Sequence, residues 1–282
     1  RKRMNEFQIG IDMMSRLIDK PINLSISQSC EIENAKLKNV EIYKIKGVHP
    51  SGNESFQINR IDPLNSGEIV WVIKPEDLAN IGSFFETGVF CPKRTVAVSG
   101  DSLRSPKYYD TIIGSSISSL VDSKELSNIK NYRFINGDPL SGSKVEYSDF
   151  LGFYNNILSV ISEGNQFRML GWLPFMYNNI PSFSRTSLSW LLGGEKKVNT
   201  NLNGEERAIV VTGEMEKYFP MDIFPMQLIK ACMRGDIEKM ESLGIYEVVP
   251  EDFGLVDFSC TSKIEAQEIV KSGIKLMLKE VG

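Results

Sequence analysis

Apolar residues at the start of the chain recur three and four positions apart. Phe7, Ile11, Met14 and Ile18 share one face, which predicts a helix over 5–19. The pattern then changes. "INLSIS" and "VEIYKIKG" carry β-branched residues at mixed strand spacing, and the apolar run "EIVWVIK" predicts a buried strand over 68–74. "GVHPSGN" directly follows the second of these runs, and its Pro50 and Gly52 signal a turn. Pro75 suits the first turn of a helix, where its missing N–H is no loss, and Gly88 suits that helix's end. Strand alternating with helix up to residue 90 predicts an α/β layer.

Past Pro92 the texture shifts. "TVAVSG" and "KYYDTIIG" read as strands. "SSISSLVDS" reads as a short helix with Ile117, Leu120 and Val121 on one side. "YRFINGDPLSGS" closes the unit as a strand ending in the turn signals Asn136-Gly137 and Asp138-Pro139. Together these predict a small α+β module. From Phe150 onward, "FYNNILSVISEGNQFRMLGWLPF" predicts two strands joined around Glu163-Gly164-Asn165, and "RAIVVTGEM" predicts a later strand. After Pro220 the chain turns helical. "PMQLIKACMRGD" places Met226, Ile229 and Met233 on a stripe, and "DIEKMESLGI" and "PEDFGLVDFSC" follow. The last helix carries a capping-box signature, Ser262 with Glu265, then Ile264, Val270, Ile274, Met277 and Val281 as its stripe. The whole predicts a mixed α+β and α/β multidomain chain, divided as 1–92, 93–146 and 147–282.

Composition narrows the chemistry. The chain has 282 residues, 41% hydrophobic and 24% charged, enough to build real cores. Its 32 basic and 36 acidic residues leave a formal charge of −4 with no long basic run, so no nucleic-acid footprint is indicated. Cys30, Cys91, Cys232 and Cys260 form no CxxC pair, which suggests neither a zinc site nor a dithiol motif and fits reduced thiols in a cytoplasm. No apolar run reaches the length of a membrane-spanning helix, and no signal peptide is visible. P-loop and GxGxxG fingerprints are both absent. The acidic residues of "TGEMEKYFPMD" and "PEDFGLVD" fit turns and helix starts, where negative charge is favoured.

His49 is the sole histidine. Three roles stand open for it: a turn residue bonded to a neighbouring carbonyl, a ligand-contacting loop at the carboxyl end of a strand, or an acid–base group lacking a recognisable partner. Cys260, read as lying just before a helix N-terminus, is either a thiol activated by the helix dipole or a small packed apolar residue. No catalytic, cofactor-binding or metal-ligating residue is assigned. His49, Pro50, Ser51 and Gly52 form the candidate ligand or subunit-contact loop.

In order along the chain, several segments resemble the NqrA family, one of the subunits of the sodium-translocating NADH:quinone reductase, the Nqr complex. "GVHPSGN" is similar to that family's Gly-x-His-Pro-Ala-Gly turn, with Ser51 in place of alanine. "NEFQIGIDMMSRLID", "VAVSGDSL", "NGDPLSGS", "LGW" and "FSRT" follow in step. The most specific segment is "NGEERAIVVTGEMEKYFPMDIFP", continued by "RGDIEKMESLGIYEVVPEDFGLVDFSCTSK". The resemblance implies a partial Rossmann-like layer, a β-grasp (soluble-ligand-binding) module and a C-terminal β plus helical domain. Family members are longer at the N-terminus, so it also implies a C-terminal fragment. The implied function is that of one component of a bacterial enzyme that oxidises NADH, reduces quinone and exports sodium. The chain would lie peripherally on the cytoplasmic face of the inner membrane, docked on other Nqr subunits, above all the membrane protein NqrB, with quinone as a candidate ligand. It would carry no cofactor of its own, leaving FAD, FMN, riboflavin and iron–sulfur centres to other subunits. The spaced cysteines agree, since a cubane cluster needs four thiolates. Two other readings stand beside this one. The first is a quinone- or nucleotide-binding module related to the flavin subunit of complex I and to the Rnf C subunit. The second is a free-standing dehydrogenase, which the missing dinucleotide fingerprint disfavours.

Overall fold

The protein is described by a computed structural model that covers residues 3–30, 37–126, 131–164, 190–191 and 198–280. In chain order the elements begin with helix α1 (Met4–Met14), strands β1 (Ile22–Ser27) and β2 (Val40–Ile45), and helices α2 (Glu54–Ile61) and α3 (Pro75–Thr87). Next come β3 (Lys93–Ser99), β4 (Lys107–Ile112), α4 (Ile117–Leu120), β5 (Tyr132–Asn136), β6 (Ser143–Val145) and β7 (Ile157–Ser162). The chain closes with α5 (Pro225–Arg234), α6 (Ile237–Ser242), α7 (Gly254–Ser259) and α8 (Ala266–Glu280). This is a mixed α/β protein of two compact units. One unit joins residues 1–93, 216–253 and 266–282, and the other joins 94–215 and 254–265. The residues from 216 onward are therefore shared between the units.

In the first unit β1 and β2 pair in parallel, with Ile22 opposite Val40 and Ser27 opposite Ile45. Helices α1 and α3 pack together around Phe7, Ile11, Leu78 and Ala79, with Ile22, Leu24 and Val40 of the strands against that cluster. Two glycines allow the helices to approach this closely. A Cβ on Gly10 would meet the Leu78 carbonyl oxygen at 2.3 Å, and one on Gly82 would meet the Glu6 carbonyl oxygen at 1.8 Å. Pro75 opens α3 as the sequence predicts, and Gly88, at φ 70°, closes it by donating to the Phe84 carbonyl at 2.8 Å. Farther along, α5 buries Met226, Leu228, Ile229 and Ala231 and packs on α8.

The second unit is built on a five-stranded sheet in the order β4-β3-β7-β5-β6. β3 and β7 run parallel, whereas β5 is antiparallel to both β7 and β6. Val96 and Val98 of β3 and Leu158 and Val160 of β7 share one core with Leu103, Ile117, Leu120, Val121 and Leu151. Strand β7 thus sits at the sheet's centre, and the boundary drawn at 146 falls inside this unit. The turn over 136–142 joins β5 to β6. Although burial alone would raise the Asp138 pKa, hydrogen bonds from the Ser141 hydroxyl and the Leu140 and Ser141 amides hold its carboxyl below the usual range.

Several sequence expectations are corrected. Residues 68–74 form no strand: Ile69, Val70, Trp71 and Val72 are exposed, and no ladder among the described residues includes them. A β-type pattern specifies a surface that can pair, but only a neighbouring strand makes it a strand. Residues 207–215 are likewise unpaired as a strand. The Arg207 amide donates to the Ser262 carbonyl, while Val210 and Val211 face outward. The first helix stops at Met14, where the Ser15 hydroxyl turns back onto the Asp12 carbonyl, and Ile18 is exposed. Met233 is exposed rather than part of the buried stripe of α5. The capping box does not form, because α8 begins at Ala266 and the Ser262 hydroxyl donates to the Ala208 carbonyl at 3.0 Å. The second strand expected after Asn165 lies outside the described residues, as do "LGW", "FSRT" and Val281. Gly82→Ala is expected to lower stability by about 1–3 kcal/mol through overpacking, read as a fall in the urea midpoint with an unchanged m-value.

Candidate functional site

The loop over 47–53 leaves β2 and delivers the chain to α2. Gly47 has φ 157°, and a Cβ there would meet the Ser51 Cβ and Oγ, each at 2.9 Å, so the loop folds back tightly on itself. The Ser51 amide donates to the Val48 carbonyl at 2.9 Å, and the Asn53 amide donates to the Pro50 carbonyl at 2.8 Å. The His49-Pro50 peptide bond is cis. From α2, the Gln57 side chain donates to the Ser51 carbonyl at 3.3 Å. His49 is exposed and makes no hydrogen bond among the described residues. The first of its three open roles, a turn residue bonded to a nearby carbonyl, is therefore absent here.

The side chain that fixes this corner comes from far along the sequence. Asp252 is 1% exposed. Its Oδ1 accepts from the Ser55 hydroxyl at 2.5 Å and the Asn53 side-chain amide at 3.2 Å, and its Oδ2 accepts from the Val249 backbone N–H at 3.0 Å. A buried carboxylate is tolerated when such donors replace water. Asn59 adds a hydrogen bond to Glu247 on the same side. This matches the turn role expected for the acidic residues of "PEDFGLVD" and adds a long-range tie that no local pattern encodes.

A second junction lies in the other unit. The "NGEERA" segment is held by Ser262 and Lys263: the Arg207 amide donates to the Ser262 carbonyl at 2.9 Å, and Gly204 lies under the Lys263 side chain. Burial pushes the Lys263 ammonium below the usual lysine value, with the Cys260 thiol opposing. Cys260 itself is buried at the C-terminal end of α7, with its amide on the Asp257 carbonyl. It does not directly precede a helix N-terminus, so of its two readings the small packed apolar residue fits and the dipole-activated thiol does not. No three His, Cys, Asp or Glu residues among those described are grouped to hold a metal ion. No described helix is long and apolar enough to cross a membrane.

Comparison with known proteins settles the family. Residues 1–90 match the NqrA second alpha/beta domain and residues 95–147 match the NQRA C-terminal domain. The chain belongs to the NqrA family. It is 35% identical over 277 residues to the NqrA protein of the Na(+)-translocating NADH-quinone reductase of Haemophilus influenzae (strain 86-028NP), covering 98% of this chain and 61% of that protein. The namesake from Neisseria meningitidis serogroup C is 32% identical over 280 residues, with the same 98% and 61% coverage. That from Rhodopirellula baltica is 30% identical over 285 residues, covering 99% and 61%. The chain thus spans about three-fifths of the length of these relatives. A crystal structure of the NAD+-reducing [NiFe]-hydrogenase in the H2-reduced state aligns over 98% of this chain and 50% of its own, at a TM-score of 0.43 and 11% identity. That likeness is too distant to assign a fold.

The first of the two NqrA domain matches contains the whole 47–53 loop and α2, while Asp252, which anchors them, lies beyond both. Asp252→Ala is expected to cost about 1–3 kcal/mol, because it strands the buried Ser55 hydroxyl and removes the acceptor of the part-buried Asn53 and Val249 donors. Hydrogen exchange should speed up across residues 53–61 before it does in β3 or β7.

Proposed function

We propose that the chain is a docking component of the Na+-translocating NADH-quinone reductase, working without a redox cofactor of its own. In this reading it lies on the cytoplasmic face of the inner membrane, held there by partner subunits, foremost NqrB. There it supports quinone reduction coupled to sodium export. The observation that carries the reading is the ordered match to NqrA proteins across 98% of the chain. The cofactor-free part rests on the sequence, whose four cysteines show no cluster-binding spacing and whose glycines form no dinucleotide fingerprint.

The loop of His49, Pro50, Ser51 and Gly52 is the proposed contact with another subunit. Its shape is held from within by backbone hydrogen bonds and by Asp252, so the exposed imidazole is available to a partner. His49→Ala should change the stability of the isolated chain by no more than about 0.5 kcal/mol, as for surface substitutions generally. In the assembled complex it should weaken assembly. Loss of turnover with normal assembly and normal quinone affinity would contradict this role. The cofactor-free reading is tested by the visible spectrum and iron content of the purified chain. The expected result is no stoichiometric flavin absorbance and no bound iron, and either one would overturn it.

A further inference from the structure

We infer that residues 68–74 become a strand on association, pairing antiparallel with the same run of a second copy of this chain, centred on Trp71. The run reads Glu-Ile-Val-Trp-Val-Ile-Lys, and its apolar part is the same in both directions. A turn precedes it, with the Glu68 amide on the Asn65 carbonyl at 3.1 Å and Gly67 at φ 80°. Pro75 opens α3 immediately after it. The run is therefore bounded to about 23 Å of extended chain, a normal strand length. Its composition is strand-type, yet Ile69 is 81% exposed and Trp71 85% exposed. No ladder among the described residues uses it. An apolar run left unpaired in this way is a template for another chain.

The sequence itself selects the occupant. Antiparallel pairing about Trp71 sets Ile69 opposite Ile73 of the second copy, Val70 opposite Val72, and Trp71 opposite its own counterpart. It also sets Glu68 opposite Lys74 at both ends. Parallel in-register pairing would oppose Glu68 to Glu68 and Lys74 to Lys74, which is unfavourable across strands. Slipping the pairing by one residue would break both the identical apolar pairs and the charge pairs. A two-fold contact needs one patch complementary to itself, and this run has that property in both shape and charge. Asn65 supports the charge pattern: its amide and side chain hold the Glu68 carboxyl below the usual range, so it is ionised at neutral pH.

Sedimentation velocity of the 282-residue chain at increasing concentration tests the pairing. The expected result is a reversible dimer. Val70→Lys combined with Val72→Lys should give a monomer with an unchanged circular dichroism spectrum. Glu68→Lys alone and Lys74→Glu alone should each raise the dimer dissociation constant about ten-fold. Mixing those two single variants, which restores opposite charges at both ends, should recover dimerisation. A wild-type chain that stays monomeric at every concentration would overturn the inference. So would a dimer that survives the two lysines, or charge variants that associate as the wild type does.

Discussion

One buried carboxylate determines how the first unit holds together. Asp252 is removed from water and relies on Asn53, Ser55 and the Val249 amide for its hydrogen bonds. The first two partners lie 199 and 197 positions away in sequence. Neither α2 nor the loop before it can shift without stranding that charge, and an unsatisfied buried charge is among the costlier defects a fold can carry. Helix α8 packs on the same Pro250–Phe253 turn, so the C-terminal helix and the His49 loop are positioned by a shared element.

That arrangement gives the loop its particular character. Its backbone is fixed by hydrogen bonds within the loop and by the tie to Asp252, and its histidine takes no part in them. A rigid loop that presents an uncommitted polar side chain suits recognition better than acid–base chemistry, which needs a partner base or nucleophile within reach. The position after a strand in an α/β layer, where open sheets usually meet ligands, is compatible with recognition of either a small molecule or a protein. In the proposed reading the partner is another protein subunit.

The sequence was most legible where structure is local. The strand pattern of "INLSIS", the Pro75 start and Gly88 end of α3, and the Met226 and Ile229 face of α5 all depend on residues within a few positions of one another. It was silent where structure depends on distant neighbours. Gly10 and Gly82 give no sign that two helix backbones meet over them, and Asp252 gives no sign of its partners at the start of α2. Residues 68–74 and 207–215 show the opposite failure, with strand composition present and a pairing neighbour absent among the described residues. Ser262 and Glu265 have the spacing of a capping box, yet the hydroxyl is drawn to the Ala208 carbonyl because "NGEERA" docks there. At the candidate loop the turn itself was readable, but the reason it holds its shape was not.

A pre-shaped His49 loop that meets a partner in the sodium-pumping reductase should lie within bonding reach of that partner. Site-specific photo-crosslinking tests this most directly. A benzoyl-phenylalanine placed at position 49 of the assembled complex is predicted to crosslink to another subunit. Crosslinks confined to this chain, with assembly intact, would contradict the account.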